Sequence, residues 1–181
     1  MNATGSGCLA ALMLILAAPA VSAQTVPCPP QPADWPIPMP PNADAKVSAE
    51  FRGHTANTRG DRDGAIACYS EALAIEPEDG EVRVFRGLQY SEKEEWEPAI
   101  ADFSVVIRLN PTWPSGWVHR GYAYLGNKQY ERAVADFTES IRISPTLAAF
   151  YSNRAKAYRA MGDNARATAD EIEAARLDRM R

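Results

Sequence analysis

The chain has 181 residues, 46% of them hydrophobic, with a formal net charge of −4 and a pI near 5.3. It contains no basic block, so a nucleic-acid partner would find no electrostatic footprint. The length allows one domain with a real core, and two histidines and three cysteines leave little material for metal or nucleophile chemistry.

Leu9–Ala18 is an apolar run that fits a signal-peptide core and is too short to span a bilayer. Val21, Ser22 and Ala23 follow as small residues suited to cleavage before Gln24, so residues 1–23 read as a signal peptide. No Lys or Arg precedes the run. The other reading, a buried N-terminal helix, is opposed by Pro19 and the prolines beyond it. Cys8 stands before the apolar run and Cys28 follows Val26 and Pro27, so neither is placed for lipidation. The expectation is a periplasmic or secreted protein without stable membrane insertion. Cys28 and Cys68 then remain as a candidate disulfide in an oxidising compartment.

Residues 24–43 form a proline-rich linker, with eight prolines between Pro27 and Pro41. Proline fixes φ and lacks an amide donor, so the tract reads as extended polyproline II. It serves as a stiff spacer or as a ligand anchored by Trp35.

From residue 44 onward the chain repeats itself. Pro77, Pro111 and Pro145 are spaced by 34 residues, and units of about 46–79, 80–113, 114–147 and 148–181 align on them. The seventh position of each unit is Arg52, Arg86, Arg120 and Arg154; the eighth is Gly53, Gly87, Gly121 and Ala155. The twentieth is always alanine, and the twenty-fourth is Tyr69, Phe103, Phe137 and then Glu171. Positions 4, 8 and 11 share one helical face and positions 20, 24, 27 and 28 another, so each unit reads as a helical hairpin closed on its own small residues. Gly60–Asp61 and Gly162–Asp163 read as a helix stop followed by an N-cap, and Pro98 falls in a first helical turn.

This pattern resembles the tetratricopeptide repeat (TPR) family, most fully in the third unit: Trp117, Gly121, Tyr124, Ala133, Phe137 and Pro145, with Arg120 where the pattern has leucine. The resemblance covers about residues 46–179. It implies an all-α fold, a right-handed α-solenoid of four helix-turn-helix units. Glu171 and Arg179 replace the aromatic and the proline in the fourth unit, which reads as a solvated cap with a thinly protected C-terminal edge.

Catalysis finds no support in His54 and His119, which stand at different positions of different units without converging partners. No metal or cofactor site is expected. The arginines at position 7 face Cys68, Asp102, Asp136 and Asp170 at position 23. A repeated, half-exposed ion pair worth about a kcal/mol or less is one reading; an arginine row for an anionic ligand is the other. Cys68 reads either as a free thiol in a small gap or as the partner of Cys28.

The resemblance also implies a concave groove lined by positions 2, 5, 9 and 12 of the first helices. Carried over, this names Val84, Leu88, Val118, Tyr122, Leu125, Lys156 and Arg159 as the partner-binding set, with an apolar centre, an acidic-leaning N-terminal end and a basic C-terminal end. The apolar members have no expected packing duty inside their own repeats, unless a neighbouring helix or the proline tract covers them. Some members of the family clamp a C-terminal carboxylate with Lys and Asn. Here Glu50, His54, Val84, Phe85 and Leu88 hold those positions, so that clamp is missing. The functional expectation is a non-enzymatic scaffold that holds an extended or helical protein segment. The competing expectation is self-assembly through the C-terminal edge, with the chain otherwise a monomer or weakly self-associating.

Overall fold

The structure, a computed structural model, describes residues 27–30 and 44–180. The expected signal peptide at 1–23 and most of the proline tract, Trp35 included, lie outside the described residues.

Among the described residues there are eight helices and no strand: α1 (Ala45–Thr58), α2 (Arg62–Ile75), α3 (Gly80–Glu92), α4 (Trp96–Leu109), α5 (Pro114–Gly126), α6 (Tyr130–Ile143), α7 (Ala148–Ala160) and α8 (Asn164–Asp178). They pair as the four expected hairpins, and the first helix of each hairpin packs on the second helix of the one before. The result is an α-solenoid. α3 also touches α5, which sets first helices side by side along the inner face.

Local chemistry explains where the helices begin and end. Asp44, Asp61, Asp79 and Asp163 accept hydrogen bonds from first-turn amides of α1, α2, α3 and α8. Pro114 opens α5 and Pro98 lies in the first turn of α4, where a missing amide costs nothing. Gly60 and Gly162 close α1 and α7 with φ of 76° and 80°. The same left-handed turn recurs after α3 and α5, but there it is made by Glu94 at φ 59° and Lys128 at φ 60°. Without glycine to mark them, these two turns were invisible in the sequence.

Inside each hairpin the ring at position 24 lies directly on the glycine at position 8. A Cβ built on Gly53, Gly87 or Gly121 would stand 2.6, 2.8 or 2.7 Å from Tyr69, Phe103 or Phe137. All three rings are fully buried. The fourth unit drops both halves of the arrangement together: Ala155 takes the glycine's place and Glu171 the ring's, with Glu171 turned outward to Arg159 at 2.7 Å. A second regularity binds consecutive units. Arg83, Trp117 and Tyr151, all at position 4, donate hydrogen bonds to the carbonyls of Pro77, Pro111 and Pro145.

The arginine–aspartate pairs form in the expected register, but they are buried rather than half-exposed. Arg86, Arg120 and Arg154 each make two hydrogen bonds to Asp102, Asp136 and Asp170, at 2.7–2.9 Å. The carboxylates are almost wholly covered, Asp170 of the last described helix included, so the cover comes from within each hairpin. The remaining Nη1 of each arginine donates back to the previous unit, to Ser70, Ser104 and Thr138. These side chains are therefore occupied on both sides, and no arginine row is left for an anionic ligand. Burial pushes the Asp136 carboxyl above its usual value despite the Arg120 hydrogen bonds that hold it ionised.

The first unit departs where Cys68 replaces aspartate. Arg52 turns instead to Glu71 at 2.7 Å, and the Cys68 sulfur is joined to Cys28 at 2.05 Å. The neighbouring Pro29 and Pro30 face Arg52, Thr55 and Ala56 of α1 across a small cavity of about 180 Å³. Thr55 occupies the position that the preceding hairpin covers in the other units, and it is buried here as well. No helix among the described residues is long and apolar enough to cross a membrane.

Candidate functional site

The groove set inferred from the resemblance divides once the side chains are placed. Val84 is buried. Leu88 packs on the Ala99, Phe103 and Ala123 cluster, and Val118 and Leu125 pack on Ala133, Phe137 and Ala157. These four have packing duty after all: Leu88, Val118 and Leu125 stay partly exposed but rest on clusters that join their own hairpin's second helix to an alanine of the next first helix. Tyr122 remains exposed on one side while its ring meets Phe137 edge-on. Its hydroxyl donates to Asn153 of the next hairpin. Lys156 lies over the Tyr122 ring, 5.5 Å from its centroid, and Arg159 is paired to Glu171. The expected basic end is thus largely spent on contacts within the chain.

Position 9 of one unit meets position 6 of the next in the first and third units. His54 stacks edge-on against Phe85 at 4.6 Å, and Tyr122 reaches Asn153 across the same spacing. His54 also bonds the Tyr69 hydroxyl at 3.0 Å. Burial, helped by the Glu50 charge, pushes the Tyr69 phenol up to about 12.

The open apolar space lies between α3 and α5, floored by the end of α4. It is a cavity of about 540 Å³ whose walls include Val84, Phe85, Val106, Leu109, Trp113 and His119. Trp113 and Leu109 are each 38% exposed although both are large and apolar. Trp113 is held between Pro111 and Pro114 as the residue just before α5, so its ring is presented by a rigid connection. His119 stacks on Phe103, and burial depresses its imidazole below the ordinary value, which leaves it neutral at physiological pH. Of the set named from sequence only Val84 lines this cavity. Leu109, Trp113 and His119 belong to positions 30, 34 and 6, outside the four positions carried over. The one signal that could have found them was a tryptophan between two prolines.

A second, smaller cavity of about 180 Å³ adjoins the first, and Glu81 and Phe85 line both. Its wall is acidic. Lys46 reaches Glu50 at 3.3 Å, Glu76 at 2.7 Å and Asp79 at 2.5 Å. Burial raises the Asp79 carboxyl, but the Lys46 hydrogen bond and two amides of α3 more than offset that and leave it below the ordinary range. Glu81 has no ion pair among the described residues. Three carboxylates thus share one ammonium, with Glu81 in the same wall, and this end of the inner face is acidic-leaning. Among the described residues, no group of three or more His, Cys, Asp or Glu side chains is placed to hold a metal ion.

Comparison with known proteins places this architecture. Residues 50–79 and 114–147 each match a tetratricopeptide repeat model. Among solved structures, MamA (residue 41 to the end) from Desulfovibrio magneticus RS-1 aligns with a TM-score of 0.71 at 15% identity, covering 75% of this chain and 77% of that one. MamA of AMB-1 aligns with a TM-score of 0.70 at 21% identity, covering 77% and 83%. The first TPR of Spaghetti (RPAP3), bound to the HSP90 peptide SRMEEVD, aligns with a TM-score of 0.60 at 20% identity, covering 65% and 93%. At these identities the likeness is one of fold. No curated protein matches the chain.

Proposed function

We propose that this TPR solenoid is a non-enzymatic scaffold of the cell envelope or extracellular space, and that it holds a segment of a partner protein on the inner face of its first helices. The observation that carries the reading is the open apolar cavity between α3 and α5. Trp113 and Leu109 stand there half-exposed beside Val84 and Phe85, a surface that a solvated monomer gains nothing by presenting. A rigid aromatic beside a pocket is the kind of group that anchors interfaces. The peptide held by the Spaghetti repeat domain supports such a use of the fold. Export rests on residues 1–23 and on the Cys28–Cys68 link, which an oxidising compartment would preserve.

Self-assembly through the C-terminal edge is the second reading, favoured by Ile172 at 63% and Met180 at 71% exposure. Position 25 argues against a head-to-tail stack. It offers the next unit's arginine a hydroxyl in Ser70, Ser104 and Thr138, but is Ile172 in the last unit.

A photo-crosslinking residue placed at Trp113, at Ile172 or at Arg142 on the outer helix α6, in cells expressing the whole chain, separates these readings. Crosslinks to another protein from position 113 and none from position 142 are expected. Crosslinks to a second copy from position 172, with nothing from position 113, would replace the groove by self-assembly. Finding the 1–23 segment intact on the cytoplasmic protein would remove export.

A further inference from the structure

We infer that the groove selects peptide segments in which a Lys or Arg side chain stands within about three residues of a large apolar one. This rests on the peptide-binding reading and adds the chemistry of the ligand. The two cavities are contiguous: Glu81 and Phe85 line both, and they stand one helical turn apart on α3. Residues so spaced on a helix are about 5–6 Å apart at Cβ. A peptide in extended conformation rises about 3.3 Å per residue, so two or three residues span from one cavity to the other.

The two cavities call for different groups. The larger, about 540 Å³ and walled by Val84, Phe85, Val106, Leu109 and Trp113, falls in the size range of pockets that enclose a ligand group. It suits an aliphatic or aromatic side chain. The smaller one has Glu50, Asp79 and Glu81 in its wall, with Lys46 as its one cation. Lys46 is already shared among Glu50, Glu76 and Asp79, and Glu81 has no ion pair among the described residues. A surplus of carboxylate at the mouth of an apolar pocket attracts cationic side chains and repels acidic ones. A peptide such as SRMEEVD sets one arginine, beside its Met, against three acidic side chains and a terminal carboxylate, so its net charge would be repelled by Glu50 and Glu81. The charge of this groove therefore points away from acidic tails and toward basic, apolar segments.

The test is selection of a random-peptide display library on the full exported chain. A recovered peptide is then synthesised and its affinity measured against wild type, Glu81→Gln, Glu81→Lys and Trp113→Ala, with circular dichroism verifying that each variant keeps its helix content. Recovered sequences are expected to pair Lys or Arg with Leu, Phe or Trp at the stated spacing. Glu81→Lys should weaken binding about tenfold and Glu81→Gln less, as a lost and then reversed charge requires. Raising salt from low to high should weaken binding about threefold or more, since the pair is solvent-exposed. Peptides that depend on Trp113 but carry no basic bias, or that are indifferent to Glu81→Lys, overturn this inference and leave the groove reading standing. If no recovered peptide depends on Trp113, both fall.

Discussion

Replacing Asp136 with alanine removes the acceptor of two charge-assisted hydrogen bonds, 2.8 and 2.9 Å long, from Arg120. The carboxylate is 4% exposed, so its loss leaves a guanidinium facing a site built for an anion. Breaking one side of a buried pair costs about 3–5 kcal/mol. Two features of this site reduce that figure. Arg120 keeps its hydrogen bond to Ser104 and its place over the Trp117 and Tyr124 rings at 5.1 and 5.6 Å, and its side chain retains 18% exposure through which water can reach it. The expected loss is therefore about 2–4 kcal/mol, measured as a fall in the urea midpoint with unchanged slope. The chain supplies its own control. Arg52 has the same register, but its partner Glu71 is 43% exposed, so Arg52→Ala should cost about 1 kcal/mol or less. A loss under about 1 kcal/mol for Asp136→Ala, or equal losses at both sites, would mean that burial of the carboxylate adds nothing to the pair.

Gly121→Ala should destabilise by about 1–2 kcal/mol by the same assay: the new methyl meets the buried Phe137 ring at 2.7 Å, which outweighs the roughly 1 kcal/mol gain in helix propensity. A neutral or stabilising result would show that the ring can move. Lys128→Gly should stabilise by up to about 1 kcal/mol, because Lys128 holds φ at 60° where glycine closes the equivalent turns; lower stability would refute the strain argument. Tyr69 titrates near 12 when folded, against an ordinary value of 10.0, so between those pH values the unfolded chain has lost a proton that the folded one keeps. Stability should accordingly fall as pH rises through that window. Tyr69→Phe should flatten the fall, and an unchanged pH profile in the variant would assign it to other groups.

Periodicity determined the helical hairpins of this chain, and the resemblance to the TPR family implied their stacking into a solenoid. Prolines at 77, 111 and 145, alanines at position 20 and small residues at position 8 are local requirements of one hairpin, repeated, so each copy reports the same geometry and the copies reinforce one another. The arginine–aspartate register was legible for the same reason, since both partners recur together within a unit. What lies between units was not. Arg120 also donates to Ser104 of the hairpin before, and no spacing in the sequence records how closely α5 packs on α4. The inner-face residues show the same limit. Leu88, Val118 and Leu125 share helical faces with a groove, yet they rest partly buried on clusters of their own and the next hairpin, while Trp113, a connecting residue, stands at the open cavity. A helical wheel fixes which residues share a face; only the rotation between successive hairpins decides which neighbour, or which solvent, that face meets.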